Sequence, residues 1–174
     1  GFNGYGDARS EGNRPVQILQ RNNDLKIDFS SNNEIIITGA KDKYNKNIEY
    51  IILEIDFFKS INDNFGHDKG DDVLIKSTKV ILTNIKKDDL FCRIGGEEFV
   101  IVSENINTKD ELEKFANKIR TSVESFDFEL ERKVTISLGA TFIQKDDTKH
   151  SLFKRADEAL YISKNSGRNM VTIL

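Results

Sequence analysis

The 174-residue chain holds one cysteine, one proline, one methionine, two histidines and no tryptophan. A single thiol, Cys92, forms neither an internal disulfide nor a multi-cysteine metal site, which fits a reducing, cytoplasmic setting. His67 has no second His or Cys at metal-ligand spacing, so it is read as a turn residue or a minor substrate contact. No apolar run approaches the roughly 18–20 residues of a membrane helix. No basic-then-apolar leader opens the chain either, so membrane contact is not expected. Charge of one sign is lacking too: 26 basic against 29 acidic residues leave a net −3, with no global field to draw a polyanion. A nucleic acid duplex is therefore not an expected partner, and phosphate binding must come from local cations or metal. The start Gly-Phe-Asn-Gly has no initiator methionine, so the expectation is a processed or excised piece with parts missing.

With 37% hydrophobic and 32% charged residues, what is present suits one globular domain with a real core. Residues 1–33 are rich in Gly, Asn, Asp, Ser and Arg and hold Pro15; they read as an N-terminal extension or linker with no assigned role. Within them, Val16 to Leu19 and Leu25 to Phe29 are strands or single turns. Residues 34–174 read as the domain proper. The pattern predicts a short helix over Glu34 to Tyr44, then a buried β-branched strand over Ile48 to Ile55. A helix over Phe57 to Asn64, a turn over Phe65 to Gly70 and a helix from Asp71 follow, the last with Val73, Leu74, Val80, Ile81 and Ile85 on one stripe. Strand-like runs flank Gly95-Gly96. A capping box at Thr108 to Glu111 opens a helix carrying Leu112, Phe115, Ala116, Ile119 and Val123. Val134 to Ile143 alternates as a strand, Ser151 to Lys164 is helical up to a cap at Gly167, and Met170 to Leu174 closes the chain as a strand. This order predicts an α+β fold, one mostly antiparallel central sheet covered by helices.

Gly95-Gly96-Glu97-Glu98-Phe99 is the candidate chemical centre. Two glycines free to take positive φ reverse the chain tightly and hold two carboxylates at the tip. Taken alone, a plain turn with a solvated acidic tip explains the pentapeptide better. If the strand ending at Glu54 lies beside this hairpin, three carboxylates crowd one point, a cost that a divalent cation relieves. Mg²⁺, bound by one or two carboxylates plus substrate phosphates, suits such a place. Asn62 and Asp71 flank the Gly66 to Gly70 turn; a carboxylate accepts from N1–H and the exocyclic amine of guanine together, which adenine does not offer. Equally, both are ordinary turn and helix-cap residues, and Asp71 stands where an N-cap belongs. Lys164 and Arg168 are four apart at the end of the last helix, where they meet a phosphate tail or merely complement the helix dipole.

The stretch from Glu54 to Asp71, the run Arg93 to Phe99, Arg155 to Tyr161 and Lys164 to Asn169 together resemble the GGDEF family of diguanylate cyclases. The resemblance runs from about residue 34 to the C-terminus. It implies a ferredoxin-like palm shared with nucleotide cyclases and polymerases, condensing two GTP into cyclic di-GMP with release of two pyrophosphates. Each domain then holds one GTP, and catalysis implies a homodimer in antiparallel pairing, with a sensor or receiver domain outside this piece. By the same resemblance Glu54, the Ile55 carbonyl and Glu97 look like ligands of two Mg²⁺ or Mn²⁺, with Glu98 beside them and Glu97 as general base. Backbone at Phe57 and Phe58 looks like the phosphate cradle, Lys59, Lys164 and Arg168 like the triphosphate clamp, and Asn62 and Asp71 like the guanine readers.

Three departures stand out. Glu54 replaces the usual Asp, moving the carboxylate by more than about 1 Å through one extra methylene, a displacement that lowers rate if uncorrected. Lys86-Lys87-Asp88-Asp89 replaces the Arg-x-x-Asp of product inhibition, and lysine lacks the bidentate fork, so feedback binding is expected to be weakened or absent. The Leu-Thr-Gly-Leu-x-Asn-Arg stretch is not recognisable, Asn13-Arg14 standing too far upstream. A catalytically degenerate GTP or cyclic di-GMP receptor is the alternative reading. A ferredoxin-like interaction module is a third, and it leaves the three nucleotide clusters unexplained.

Overall fold

The computed structural model describes residues 17–20, 26–29, 35–38, 47–104 and 106–174. In chain order they form β1 (Gln17–Gln20), β2 (Lys26–Phe29), β3 (Ile35–Thr38), β4 (Ile48–Ile55), α1 (Phe58–Phe65), α2 (His67–Asn84), β5 (Leu90–Arg93) and β6 (Glu98–Glu104). α3 (Lys109–Ser125), β7 (Ile136–Phe142), α4 (Lys149–Asn165) and β8 (Val171–Ile173) complete the fold. Six strands make one mixed sheet in the order β1-β5-β6-β4-β7-β8, antiparallel throughout except for the parallel pair β7·β8. The result is the α+β fold with a mostly antiparallel sheet that the element order predicts, and the palm that the resemblance implies.

β4 is central and buried on both faces because both sides of it are apolar. Ile51, Leu53 and Ile55 face a core shared with Phe58, Ile61, Val73, Leu74, Leu112, Ala116 and Ile119 from α1 to α3. Ile48, Tyr50 and Ile52 face Leu152, Ala156 and Leu160 of α4. Each such side chain taken from water contributes about 1.5–3 kcal/mol. α4 lies unusually close to the sheet: a Cβ on Gly139 of β7 would sit 2.3 Å from the Leu160 amide nitrogen and 2.4 Å from the Ala156 carbonyl oxygen. That glycine and the small Ala156 and Ala159 let α4 press on β7, which delivers its last turn to the end of β4.

Several local expectations are corrected. Ile35–Thr38 is a strand paired antiparallel with Lys26–Phe29, not part of a helix over Glu34 to Tyr44. Its four residues are β-branched and pair on a neighbour more readily than they coil; residues 39–46 lie outside those described. The turn over Phe65 to Gly70 shrinks to Gly66, whose φ of +89° redirects the chain at once, so α2 begins at His67 and Asp71 lies inside it rather than at its N-cap. Neither Gly95 nor Gly96 has positive φ. At α3 the Thr108 hydroxyl accepts from the Glu111 amide as predicted, whereas the Glu111 carboxylate accepts from Asn107 N–H instead of closing the box on Thr108.

Candidate active site

The β4·β6 pairing sets Glu54 directly opposite Glu98, and the Ile55 amide donates to the Glu97 carbonyl at 3.1 Å. The end of the first long strand therefore does meet the acidic hairpin. The loop between β5 and β6 is held by Arg93, not by glycine conformations. Its side chain, 1% exposed, donates from Nε to the carbonyls of Gly95 and Gly96, both at 3.0 Å, and from Nη2 to that of Gly96 at 2.6 Å. Burial, then the charges of Glu54, Asp157 and Glu97, push the Glu98 carboxyl up to about 7, with Lys164 opposing. Like charges here oppose the ionisation of Glu98, and a nearby cation lowers that cost. Lys164 supplies one such cation, its ammonium 3.1 and 3.0 Å from the two oxygens of Glu54.

α1 starts beside this cluster. Phe57, at φ +54°, is its N-cap and gives no side-chain cap. Ile61 N–H makes the first backbone bond, to Phe57 O, so the amides of Phe58, Lys59 and Ser60 precede the intrahelical ladder and suit an anion. A cleft of about 580 Å³ opens here, lined among others by Glu54, Ile55, Phe57, Phe58, Lys59 and Glu97. Arg168, which also lines it, does not share a helical face with Lys164. α4 ends at Asn165, and Gly167 (φ +122°), Arg168 (φ +65°) and Asn169 (φ +47°) turn the chain so that the Arg168 guanidinium sits 4.5 Å from the Phe57 ring. Asp56 anchors that turn. Buried, it accepts from Ser137 Oγ (2.6 Å), Thr135 Oγ1 (2.7 Å) and the Asn169 amide (3.0 Å).

The two candidate base readers lie on successive helices, Asn62 on α1 and Asp71 on α2. The Oδ1 atoms of Asn62 and Asp71 are both buried without a hydrogen-bond partner, the state expected of acceptors awaiting donors. Gly70 makes this possible: a Cβ there would stand 1.7 Å from Asn62 Oδ1. His67 is exposed at the first position of α2.

The sequence profile described as "Diguanylate cyclase, GGDEF domain" matches residues 29–170. The chain belongs to the GGDEF family. It is 42% identical to "Response regulator PleD" of Caulobacter vibrioides over 130 residues, 71% of this chain and 28% of that protein. Among solved structures, the active GGEEF domain of a diguanylate cyclase from Vibrio cholerae is similar with a TM-score of 0.70 and 34% identity, covering 76% of this chain and 86% of that one. The GGDEF domain of DgcB from Caulobacter crescentus, solved in complex with c-di-GMP, is similar with a TM-score of 0.70 and 32% identity, over 76% of this chain and 81% of that one. The chain thus spans little more than a quarter of the curated relative's length, 28%.

Within this GGDEF domain, Glu54, Ile55, Phe57, Phe58, Lys59, Glu97 and Arg168, all singled out from the sequence, line one cleft, while Asn62 lies on α1 and Asp71 on α2. Sequence reasoning missed Asp56 and Arg93. Each was legible only as a charged residue in or just after an apolar strand, a type that is almost never buried without partners. In the Lys86 to Asp89 turn the first three residues are exposed and only Asp89 is buried; at 2% exposed it accepts from Ser103 Oγ (2.7 Å) and Lys86 N–H (2.8 Å), while the Lys86 ammonium donates to Glu104 O at 2.7 Å. Gln20 of β1 clips the same turn through the carbonyls of Lys86 and Asp89, both at 2.7 Å. No helix among the described residues is long and apolar enough to cross a membrane.

Proposed function

We propose that this domain is a diguanylate cyclase that condenses two GTP into cyclic di-GMP and two pyrophosphates, working as an antiparallel pair of GTP-loaded copies. The observation that carries this reading is the meeting of Glu54, Ile55 and Glu97 with the uncapped start of α1 in one cleft. Guanine docks against Asn62 and Asp71, whose orphaned oxygens accept its N1–H and exocyclic amine. The triphosphate lies on the amides at Phe57 and Phe58, with Lys59, Lys164 and Arg168 around it. His67, exposed at the first position of α2, adds a minor contact.

The donor set fits Mg²⁺ or Mn²⁺ arriving with nucleotide. Among the described residues no three His, Cys, Asp or Glu side chains are arranged to hold a metal unaided, and magnesium commonly relies on one or two carboxylates plus substrate phosphates. Glu54, the Ile55 carbonyl and Glu97 would hold two such ions, which, when bound, lower the pKa of the attacking hydroxyl and neutralise the α-phosphate and the leaving pyrophosphate. Glu97 takes the proton from the 3′-hydroxyl of the facing GTP. That oxygen bonds to the α-phosphorus as the bond to the β-phosphate breaks, and the second half repeats the step with the roles of the two copies exchanged. Glu98 sets the charge beside Glu97, while Lys59 and Arg168 stabilise charge developing on the phosphates. A cytoplasmic setting supplies GTP, and a sensor or receiver domain outside this piece supplies the input.

Incubation of the domain at high concentration with GTP and Mg²⁺ or Mn²⁺ yields cyclic di-GMP, and Glu97→Ala yields none. Nucleotide binding without product under dimerising conditions favours the second reading, a receptor without turnover. The pairing of Glu54 with Lys164, which occupies a metal ligand and a phosphate cation together, is what supports that alternative.

A further inference from the structure

Arg132 lies in the connection between α3 and β7, a segment pinned by buried Phe128 and Val134 and by the bond from Asp56 N–H to Thr135 O at 2.9 Å. From there its Nη1 donates to Ser60 Oγ at 3.0 Å, in the first turn of α1, and its guanidinium carbon stands 5.8 Å from the centre of the Phe57 ring. Arg168 stands 4.5 Å from the same ring. Two guanidinium groups therefore flank one aromatic side chain at the edge of the cleft that Phe57, Ser60, Asn64 and Arg168 line. Among the described residues no carboxylate pairs with Arg132, and Asp63 is the acidic side chain at this end of the cleft. Its one polar partner, Ser60 Oγ, is neutral and already receives Asn64 Nδ2 at 3.0 Å, so the arginine is replaceable there.

We propose that Arg132 is a further arginine of the phosphate clamp, one that reads the terminal phosphate and so makes the site select guanosine triphosphate over diphosphate. The proposal rests on the GTP reading of the cleft. Arg168 has the Asp56 carboxylate at 3.9 Å, whereas Arg132 has no such partner among the described residues, so an anion beside Arg132 relieves a charge that the fold leaves uncompensated. Exchanging a neutral hydroxyl for a phosphate oxygen converts an ordinary hydrogen bond into a charge-assisted one, bidentate if the planar fork is aligned. A chain laid along the start of α1 has its inner phosphates at the amides and its outer end toward Ser60. The terminal group, present in GTP and absent from GDP, is then the one within Arg132's swing.

The test is calorimetric binding, with Mg²⁺, of GDP and of an α,β-methylene GTP analogue, whose carbon bridge blocks condensation. Wild type, Arg132→Ala, Arg132→Gln, Arg132→Lys and Ser60→Ala are compared, each first checked for an unchanged melting curve. Arg132→Ala weakens the triphosphate analogue about tenfold or more and GDP no more than about twofold, on the scale of one charged hydrogen-bonded contact. Arg132→Gln, which keeps a donor for Ser60 without the charge, shows the same selective loss even if the alanine variant fails to fold. Arg132→Lys restores part of the selectivity, and Ser60→Ala shifts both nucleotides alike. Equal losses for the two nucleotides, no loss, or a Ser60→Ala pattern that copies Arg132→Ala overturns the proposal while leaving the cyclase reading intact. A wild-type domain that binds neither nucleotide overturns both.

Discussion

Lys164 Nζ lies 3.0 Å from one carboxylate oxygen of Glu54 and 3.1 Å from the other, joining the end of α4 to the end of β4. A metal ligand and a phosphate cation of the proposed reaction thus neutralise each other, and both must part for a metal–nucleotide complex to enter. The longer glutamate, where the family has aspartate, is what reaches the ammonium. With the Glu54 side chain only 15% exposed, separating the pair costs about 1 kcal/mol. Lys164→Met is expected to bind Mn²⁺ several-fold more tightly without nucleotide, followed by electron paramagnetic resonance, while its GTP affinity falls. Unchanged Mn²⁺ affinity would show that the pair is no barrier.

Gly70 carries a second prediction. Alanine is the better helix former by about 1 kcal/mol, yet its Cβ would stand 1.7 Å from Asn62 Oδ1 and displace that side chain from the proposed base subsite. Because only the end of a flexible side chain must move, Gly70→Ala is expected to keep its melting temperature within a few degrees and to lose about tenfold or more in GTP affinity. In an Asn62→Ala background the same change should cost no further affinity, since the colliding atom is gone. Additive losses would place the Gly70 effect elsewhere.

How far the sequence carries the structure depends on the range of the interactions involved. α3 and α4 were legible because Leu112, Ala116, Ile119 and Val123, and Leu152, Ala156, Ala159 and Leu160, repeat with helical period, and all are buried. β4 was legible as an unbroken β-branched run. The start of α2 was not, because Gly66-His67-Asp68-Lys69-Gly70 has turn composition while Gly70 is in fact demanded by Asn62 one helix away. Glu54 and Glu97 were found through strand pairing, a regular rule. Asp56, Arg93 and Arg132 act through individual side-chain contacts that include the 168–169 turn, the hairpin carbonyls and Ser60, which no periodicity announces.

Arg93 supplies the third prediction. Its guanidinium is buried and spends Nε and Nη2 on the carbonyls that precede Glu97. Lysine has no fork to span Gly95 and Gly96 and would bury a compact charge instead. Arg93→Lys is expected to lose roughly 2–4 kcal/mol of unfolding free energy in urea and to lower GTP turnover beyond the loss of folded protein, because Glu97 is no longer fixed. Turnover that tracks the folded fraction alone would assign Arg93 to stability and not to the site.

Glu49 gives the last prediction, and it concerns pH. It is fully buried on β4, with Oε1 accepting from the Ile106 amide at 3.2 Å and Oε2 without a partner. Burial pushes its carboxyl up to about 8, with Asp89 adding to the rise and the Ile106 bond and Lys86 opposing it. A carboxyl that holds its proton more tightly folded than unfolded contributes stability that is complete below its ordinary value of 4.5 and is lost as pH rises through about 8. The slope within that window is at most about 1.4 kcal/mol per pH unit for one group. Glu98, raised to about 7, adds to the same trend. Glu49→Gln keeps an acceptor for Ile106 and cannot ionise, so the variant should be the more stable at pH 8 and nearly equal to wild type at pH 4.5. Denaturant midpoints measured at the two pH values decide it: a wild type no less stable at pH 8 than at pH 5 would mean that Glu49 is charged in the fold and has found a partner for its second oxygen.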